Sequence, residues 1–301
     1  MPQFLFQDII PEVRLHRDAL LSEYTTMRTG GPADYLIEPA SSEEIIAVYQ
    51  RALENDLPVF IMGNGSNLLF SDEGFPGVIL RLGKAFSSIS IEHDLISCQA
   101  GAMLSAVSRV AADHAFTGLE FASGIPGSVG GAIYMNAGAY GGEISQTLQQ
   151  AELLIDGRIE IWNKDQMQFS YRHSAMMEQD GIVLSAQFFL SPGSKEAIVE
   201  TMRDLNERRR AKQPLQYPSC GSFFKRPAGF FAGALIEQSG LKGYSVGGAQ
   251  VSQQHAGFII NKGGATSKDV FDLMRHVQKT VFEKTGVTLE PEVKLIGSFP
   301  K

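Results

Sequence analysis

Between Glu120 and Glu143 the chain carries no charged residue for 22 positions, 121–142, and seven of these are glycine. The run is long enough to cross a bilayer. Glycine, however, costs a helix up to about 1 kcal/mol per residue relative to alanine, and Pro126 and Asn136 interrupt the run further. Uncharged backbone with closely spaced glycines can approach a ligand and offer it N–H donors. The guest that suits such a stretch is a phosphate-bearing cofactor in a cleft, so the run reads as part of a nucleotide-type site.

The rest of the chain narrows the class. Its 301 residues exceed what one hydrophobic core serves, so two or three domains are expected. A net charge of −7 with no basic block argues against a nucleic-acid partner, because phosphate neutralisation needs a cationic surface. The first eight residues place no lysine or arginine ahead of their short apolar stretch, unlike a secretory signal, and no stretch elsewhere could span a membrane. Two cysteines, Cys98 and Cys220, are too few for a disulfide framework or a metal cluster. A cytoplasmic, monomeric enzyme with small-molecule partners and no metal is expected.

Residues 41–56 open on a capping-box pattern at Ser41 and Glu44 and continue with Ile45, Ile46, Val48, Tyr49, Ala52 and Leu53 at helical spacing. A short buried strand is expected at 58–62, strands at 77–82 and 95–100, and an amphipathic helix near 103–114. More strands follow near 151–162 and 182–190. A helix from about 194 to 211, with Ser194 as cap, ends in a basic stretch up to Pro214 that reads as a hinge. Beyond it come a helix at 231–239 stopped by Gly240, a strand at 256–261, and a long helix over 267–286. Residues 287–296 alternate and predict a last strand, with Val287, Leu289, Val293 and Leu295 on one face and Glu290, Glu292 and Lys294 on the other. The pattern is α+β with mixed sheets rather than regular βαβ alternation.

Each motif has an ordinary reading beside its functional one. The loop Gly63-Asn64-Gly65-Ser66-Asn67-Leu68 begins like a dinucleotide fingerprint, but Leu68 stands at the third glycine position, and no P-loop occurs. Alone it is as well explained by a turn; beside the run at 121–142, phosphate cradling is the better reading. Arg172 and His173 by themselves read as surface residues, and His173 is given no catalytic role. Ser222 precedes Phe223 and Phe224, and Phe224 occupies the second glycine position of a nucleophile elbow, so that elbow is excluded. Glu292 alone reads as a solvated strand residue.

Taken together and in order, the motifs resemble one family. They are 26–31, 63–67, Gly124-Ile125-Pro126-Gly127-Ser128-Val129-Gly130-Gly131, Asn136-Ala137-Gly138-Ala139-Tyr140-Gly141, Tyr171-Arg172, 221–225, 254–261 and 289–297. Almost end to end, the chain resembles the UDP-N-acetylenolpyruvoylglucosamine reductases. The resemblance implies an α+β fold: a two-subdomain FAD-binding module of the vanillyl-alcohol-oxidase (PCMH) type, over 1–92 and 93–195, plus a C-terminal α+β substrate domain over 196–301. The last strand is open to returning to the first subdomain. It implies non-covalent FAD, held by Met62, the 63–68 loop, the glycine-run residues named above and Ile182, with NADPH as co-substrate. It implies hydride transfer to the enolpyruvyl methylene carbon, a proton from Ser222, and stabilisation of the enol by Arg172 and Glu292. Tyr171, Lys212, Arg209, Arg226 and His255 are the implied substrate contacts. Two departures stand out: Arg226 replaces the family's usual asparagine, and Cys220 puts a thiol, open to being reactive, beside the serine. The segment between Arg172 and Lys212 is too short for the extra tyrosine-bearing loop of one subgroup, so the loop-lacking subgroup is expected.

Two rivals are weighed. An alcohol or sugar oxidase on the same scaffold would often tether its flavin through histidine or cysteine, and neither 63–67 nor 121–142 contains one. A non-catalytic binder of flavin or sugar nucleotide has no use for Arg172, Ser222 and Glu292 together.

Overall fold

The computed structural model describes residues 5–300, so the first four residues of the N-terminal octet lie outside the described residues. The chain divides into two compact units. The first comprises residues 5–17, Tyr35–Asn64 and Gly77–Arg208; the second comprises Asp18–Asp34, Gly65–Pro76 and 209–300. Each has its own apolar core. The first gathers residues such as Ile37, Val78, Leu104, Leu153 and Phe188, and the second Met27, Leu69, Phe223, Val251 and Val277. Helices and both parallel and antiparallel strand pairs make the fold α+β with mixed sheets.

In the first unit, helix α1 (Ser42–Glu54) starts where the Ser41 hydroxyl accepts the Glu44 N–H at 3.2 Å. The reciprocal half of the expected box lands one residue earlier: the Glu44 carboxylate accepts the Ala40 N–H at 2.6 Å and pairs with Arg14. Ile45, Val48 and Ala52 turn into the core, while Leu53 is exposed. Strand Val59–Met62 runs parallel to Phe75–Arg81. A five-stranded antiparallel sheet orders Arg158–Asn163, Leu148–Ile155, Gly181–Phe189, Leu95–Gln99 and Ile89–Glu92. Helix α2 (Leu104–Asp113) follows the expected amphipathic pattern. The glycine run folds into a 3-10 turn (Glu120–Gly124), the short helix α3 (Val129–Tyr134) and a hairpin pairing Gly138–Ala139 with Gly142–Glu143. Its sequence-level likeness to a membrane span thus dissolves into three separate elements. No helix among the described residues is long and apolar enough to cross a membrane.

Helix α4 (Lys195–Lys212) begins at Ser194, whose hydroxyl accepts the Ala197 N–H, and the division between the units falls inside it, after Arg208. The second unit holds an antiparallel sheet ordered Ser219–Ser222, Phe258–Asn261, Ala249–Val251 and Ser245–Val246, with helices α5 (Ala232–Gln238) and α6 (Ser267–Thr285). One expectation is corrected. The strand foreseen over 287–296 is regular only at Lys294–Ile296, which runs parallel to Leu68–Phe70. Pro291 has no N–H to give a ladder, so 290–292 make only a bridge to 223–225. Leu289 and Val293 are nevertheless buried as the alternation requires.

Candidate active site

The two glycine-bearing loops meet in the first unit. Strand Val59–Met62 ends at Gly63, where a Cβ would lie 1.9 Å from the Ser128 Oγ, so no other residue fits without displacing that loop. The Asn64 side chain donates to the Pro126 carbonyl at 2.7 Å, and Ser128 caps α3. What these loops offer is uncharged backbone and small side chains, with no carboxylate between 121 and 142 to repel an anion. That donor set fits a pyrophosphate-bearing cofactor such as FAD. Met62 and Ile182 are buried, the latter in the five-stranded sheet. No group of three or more histidine, cysteine, aspartate or glutamate residues placed to hold a metal occurs among the described residues.

Arg172 sits on a tight turn that Ser170 and His173 close by exchanging both backbone hydrogen bonds at 3.1 Å. Its φ of 54° lies in the left-handed region, which costs a non-glycine residue about 1–2 kcal/mol and persists only where the surroundings impose it. The surroundings are the 134–138 segment of the glycine run. The guanidinium donates to the Gly138 carbonyl at 3.1 Å, the Asn136 side chain to the Ser170 carbonyl at 3.0 Å, and the buried Ser174 hydroxyl to the Tyr134 carbonyl at 2.8 Å. Tyr171 is exposed, with the guanidinium 5.2 Å from its ring centre. The His173 ring faces Glu178 at 3.2 Å, a surface pair with no part in these contacts.

The second unit carries the serine and the glutamate. Ser222 is exposed at the end of its strand, just past a one-residue bulge between the pairs Ser219 with Ile260 and Ser222 with Phe258. Gly221, at φ 76°, supplies the left-handed residue that the bulge needs. Phe223 and Phe224 anchor the segment in the core, as their size demands. The Glu292 N–H donates to the Phe223 carbonyl and the Lys225 N–H to the Glu290 carbonyl, both at 2.9 Å, so Ser222 and Glu292 ride on adjacent bridged segments. The Asn67 side chain donates to the Glu292 carbonyl at 3.1 Å, and the Lys294 N–H to the Asn67 carbonyl at 3.0 Å. Thr26 completes the lacing: its N–H reaches the Gly65 carbonyl and its hydroxyl the Ser219 carbonyl. The 65–68 part of the glycine loop is thereby tied to both candidate catalytic segments of this unit. Thr26 and Asn67 as braces were not foreseen, since their partners lie far away in sequence.

Of the expected substrate contacts, Arg209 and Lys212 occupy the last turn of α4. The Gln254 side chain bonds the Arg210 and Ala211 carbonyls there, drawing the 252–257 loop with His255 to the helix end. Burial holds the His255 imidazole below its ordinary pKa. Arg226 lies over the Phe231 ring at 4.1 Å, a cation–π contact, while Lys225 pairs with Glu290. Burial first, then neighbouring Lys225, lowers the Lys294 amine pKa, with Glu290 opposing. The thiol of Cys220 is buried and donates to the Leu68 carbonyl at 3.2 Å, and burial pushes it up to about 12, an environment that disfavours the reactive thiolate.

Known proteins share both halves of this arrangement. Residues 33–160 match the family model described as FAD binding domain, and residues 213–296 the one described as UDP-N-acetylenolpyruvoylglucosamine reductase, C-terminal domain. The UDP-N-acetylenolpyruvoylglucosamine reductase of Latilactobacillus sakei is 51% identical over 92% of this chain and 91% of its own. A crystal structure of the reductase of that name from Thermus caldophilus superposes with a TM-score of 0.84 at 36% identity, covering 94% of this chain and 99% of that one. Phl p 4, a grass pollen allergen with glucose dehydrogenase activity, shares the fold over 64% of this chain and 44% of its own, with a TM-score of 0.50 at 13% identity.

Proposed function

Because the chain belongs to the UDP-N-acetylenolpyruvoylglucosamine reductase family, we propose that it reduces the enolpyruvyl ether of UDP-N-acetylglucosamine enolpyruvate to UDP-N-acetylmuramate with NADPH. It is an FAD-dependent oxidoreductase whose flavin module is of the vanillyl-alcohol-oxidase (PCMH) type. The segments 1–92 and 93–195 are assigned to that module and 196–301 to the substrate domain, with 18–34 and 65–76 belonging to the same compact unit as 209–300. A cytoplasmic monomer acting on small molecules is the working form.

Residues 62–68, 124–131, 137–139 and 182 would hold the flavin, backbone donors meeting its pyrophosphate; Asn136, wholly buried with its amide spent on Ser170 and Ser145, stands behind them. Bound FAD supplies the redox chemistry, accepting hydride from NADPH and delivering it to the substrate. Hydride arriving at the methylene carbon places electron density on the neighbouring carbon and its carboxylate. The Arg172 guanidinium, held in its turn, offers a fixed cation and paired N–H donors to that carboxylate. Glu292 hydrogen-bonds the same group as it takes on enol character. The Ser222 hydroxyl gives its proton to the carbon, completing the saturated lactyl ether, and regains a proton from solvent. Hydride from NADPH and one proton thus account for the two hydrogens added across the double bond. Lys212 and Arg209 of the last α4 turn, with Arg226, are charges suited to the diphosphate, His255 lies at the same helix end, and Tyr171 flanks Arg172.

The observation that carries this reading is the bridging of the Ser222 and Glu292 segments together with Asn67 of the glycine loop. The test is an anaerobic visible spectrum of the purified protein before NADPH, after NADPH, and after the enolpyruvyl substrate. Yellow, bleached and yellow again is the expected sequence. A flavin that bleaches and stays bleached would overturn the substrate.

A further inference from the structure

The side chain of Asn136 faces inward and is wholly buried, and both ends of its amide are engaged by the protein. Its nitrogen donates to the Ser170 carbonyl at 3.0 Å and its oxygen accepts the Ser145 N–H at 3.0 Å. Only one orientation of the amide satisfies both partners. Asn136 itself adopts φ 41°, the same left-handed region as Arg172. Four residues past Ser170, the buried Ser174 hydroxyl grips the Tyr134 carbonyl, and between them the Arg172 guanidinium grips the Gly138 carbonyl. The turn 170–174 is therefore fastened to 134–138 at three points, Ser170 to Asn136, Arg172 to Gly138 and Ser174 to Tyr134. Two of the three fastenings come from residues whose side chains have no outward-facing polar atom. A buried amide that bridges two loops, one of them carrying a strained arginine, sets where that arginine can be.

We propose that Asn136 and Ser174 are positioning residues for Arg172: they fix the guanidinium in register with the glycine run, and so couple the geometry of the flavin-binding segment to the group that stabilises the substrate carboxylate. The inference rests on the reductase reading above. Asn136→Asp keeps the acceptor toward Ser145 but sets a carboxylate against the Ser170 carbonyl, so it loosens the turn from one end. Ser174→Ala loosens it from the other.

The experiment is a double-mutant cycle in the holoenzyme, with Asn136→Asp and Ser174→Ala each made alone and together with Arg172→Ala. The rate of flavin bleaching by NADPH, the rate of its reoxidation by the enolpyruvyl substrate, and the equilibrium affinity of the oxidised protein for UDP-N-acetylmuramate are measured for each. The expected result is reoxidation about 10- to 100-fold slower in either variant, with bleaching within about 2-fold of wild type. Product affinity should weaken in parallel. In the Arg172→Ala background the same substitutions should change reoxidation and affinity by less than about 2-fold, because their effect runs through the missing guanidinium. Effects that multiply independently of Arg172, or that slow both half-reactions equally, would show a merely structural role and overturn the inference. A wild-type flavin never reoxidised by this substrate would instead overturn the functional reading, and the inference with it.

Discussion

A serine hydroxyl gives up its proton only to a strongly basic atom held in line with it, so the role of Ser222 is decided by geometry rather than by acidity. Ser222→Ala should leave NADPH bleaching within about 3-fold of wild type and slow reoxidation by the enolpyruvyl substrate by about 10²- to 10⁴-fold in stopped-flow absorbance. Equal loss in both phases would remove it as the proton donor. Its neighbour Cys220 differs from it in every physical respect that matters. With its thiol at about 12, less than roughly a thousandth is thiolate at pH 8, so iodoacetamide should leave it unlabelled in the folded protein and label it in urea. Cys98 is raised to about 12 as well. Both thiols are more easily ionised unfolded, so their contribution to stability is complete below about 9 and is lost as pH rises from there toward 12, a fall to be read in denaturant midpoints. The motif around Ser222 was legible in the sequence. That Cys220 faces the core while the serine two residues on is exposed was not, because a bulge at Gly221 resets the alternation between them.

Among the elements, the helices were the most readable, since their spacing and caps are local. Ser41, Ser194 and the stop at Gly240 each act within four residues of their helix. Helix α6 has two caps of different kinds. Thr266 and Asp269 form a local reciprocal box, and the Asp72 carboxylate accepts the Ser267 and Lys268 N–H groups, both at 2.8 Å, from nearly two hundred residues away. Asp72→Ala should therefore destabilise the protein by about 1–2 kcal/mol in urea denaturation, and Asp72→Asn by less, since one acceptor remains. An unchanged midpoint for Asp72→Ala would mean that water replaces the cap without loss. The last strand shows the opposite case. Of the alternation over 287–296, burial keeps Leu289 and Val293, while Pro291 and the bridge to 223–225 leave only three residues in a regular ladder.

At the scale of the whole molecule, the absence of histidine and cysteine from both flavin-loop stretches predicts a cofactor that is held without a covalent tether. After acid precipitation the FAD should appear in the supernatant; yellow colour in the pellet would refute a non-covalent site. Removing it should also lower the thermal midpoint, because a ligand at 100 times its Kd stabilises the folded state by about 2.7 kcal/mol. Refilling with FAD should restore the midpoint.

By itself the sequence determined what local rules govern: the α+β pattern, the helix ends, the uncharged glycine run and the order of motifs that the family shares. Only the tertiary structure decided which groups are braced and by what. The ties of Asn136 to Ser170, of Asn67 to Glu292 and of Asp72 to α6 join residues separated by tens to hundreds of positions. A hydrogen bond of that kind leaves no periodic signal, since it constrains one side chain and one backbone atom and nothing between them. The same holds for burial at Cys220, where a single left-handed glycine settles which side chain points inward.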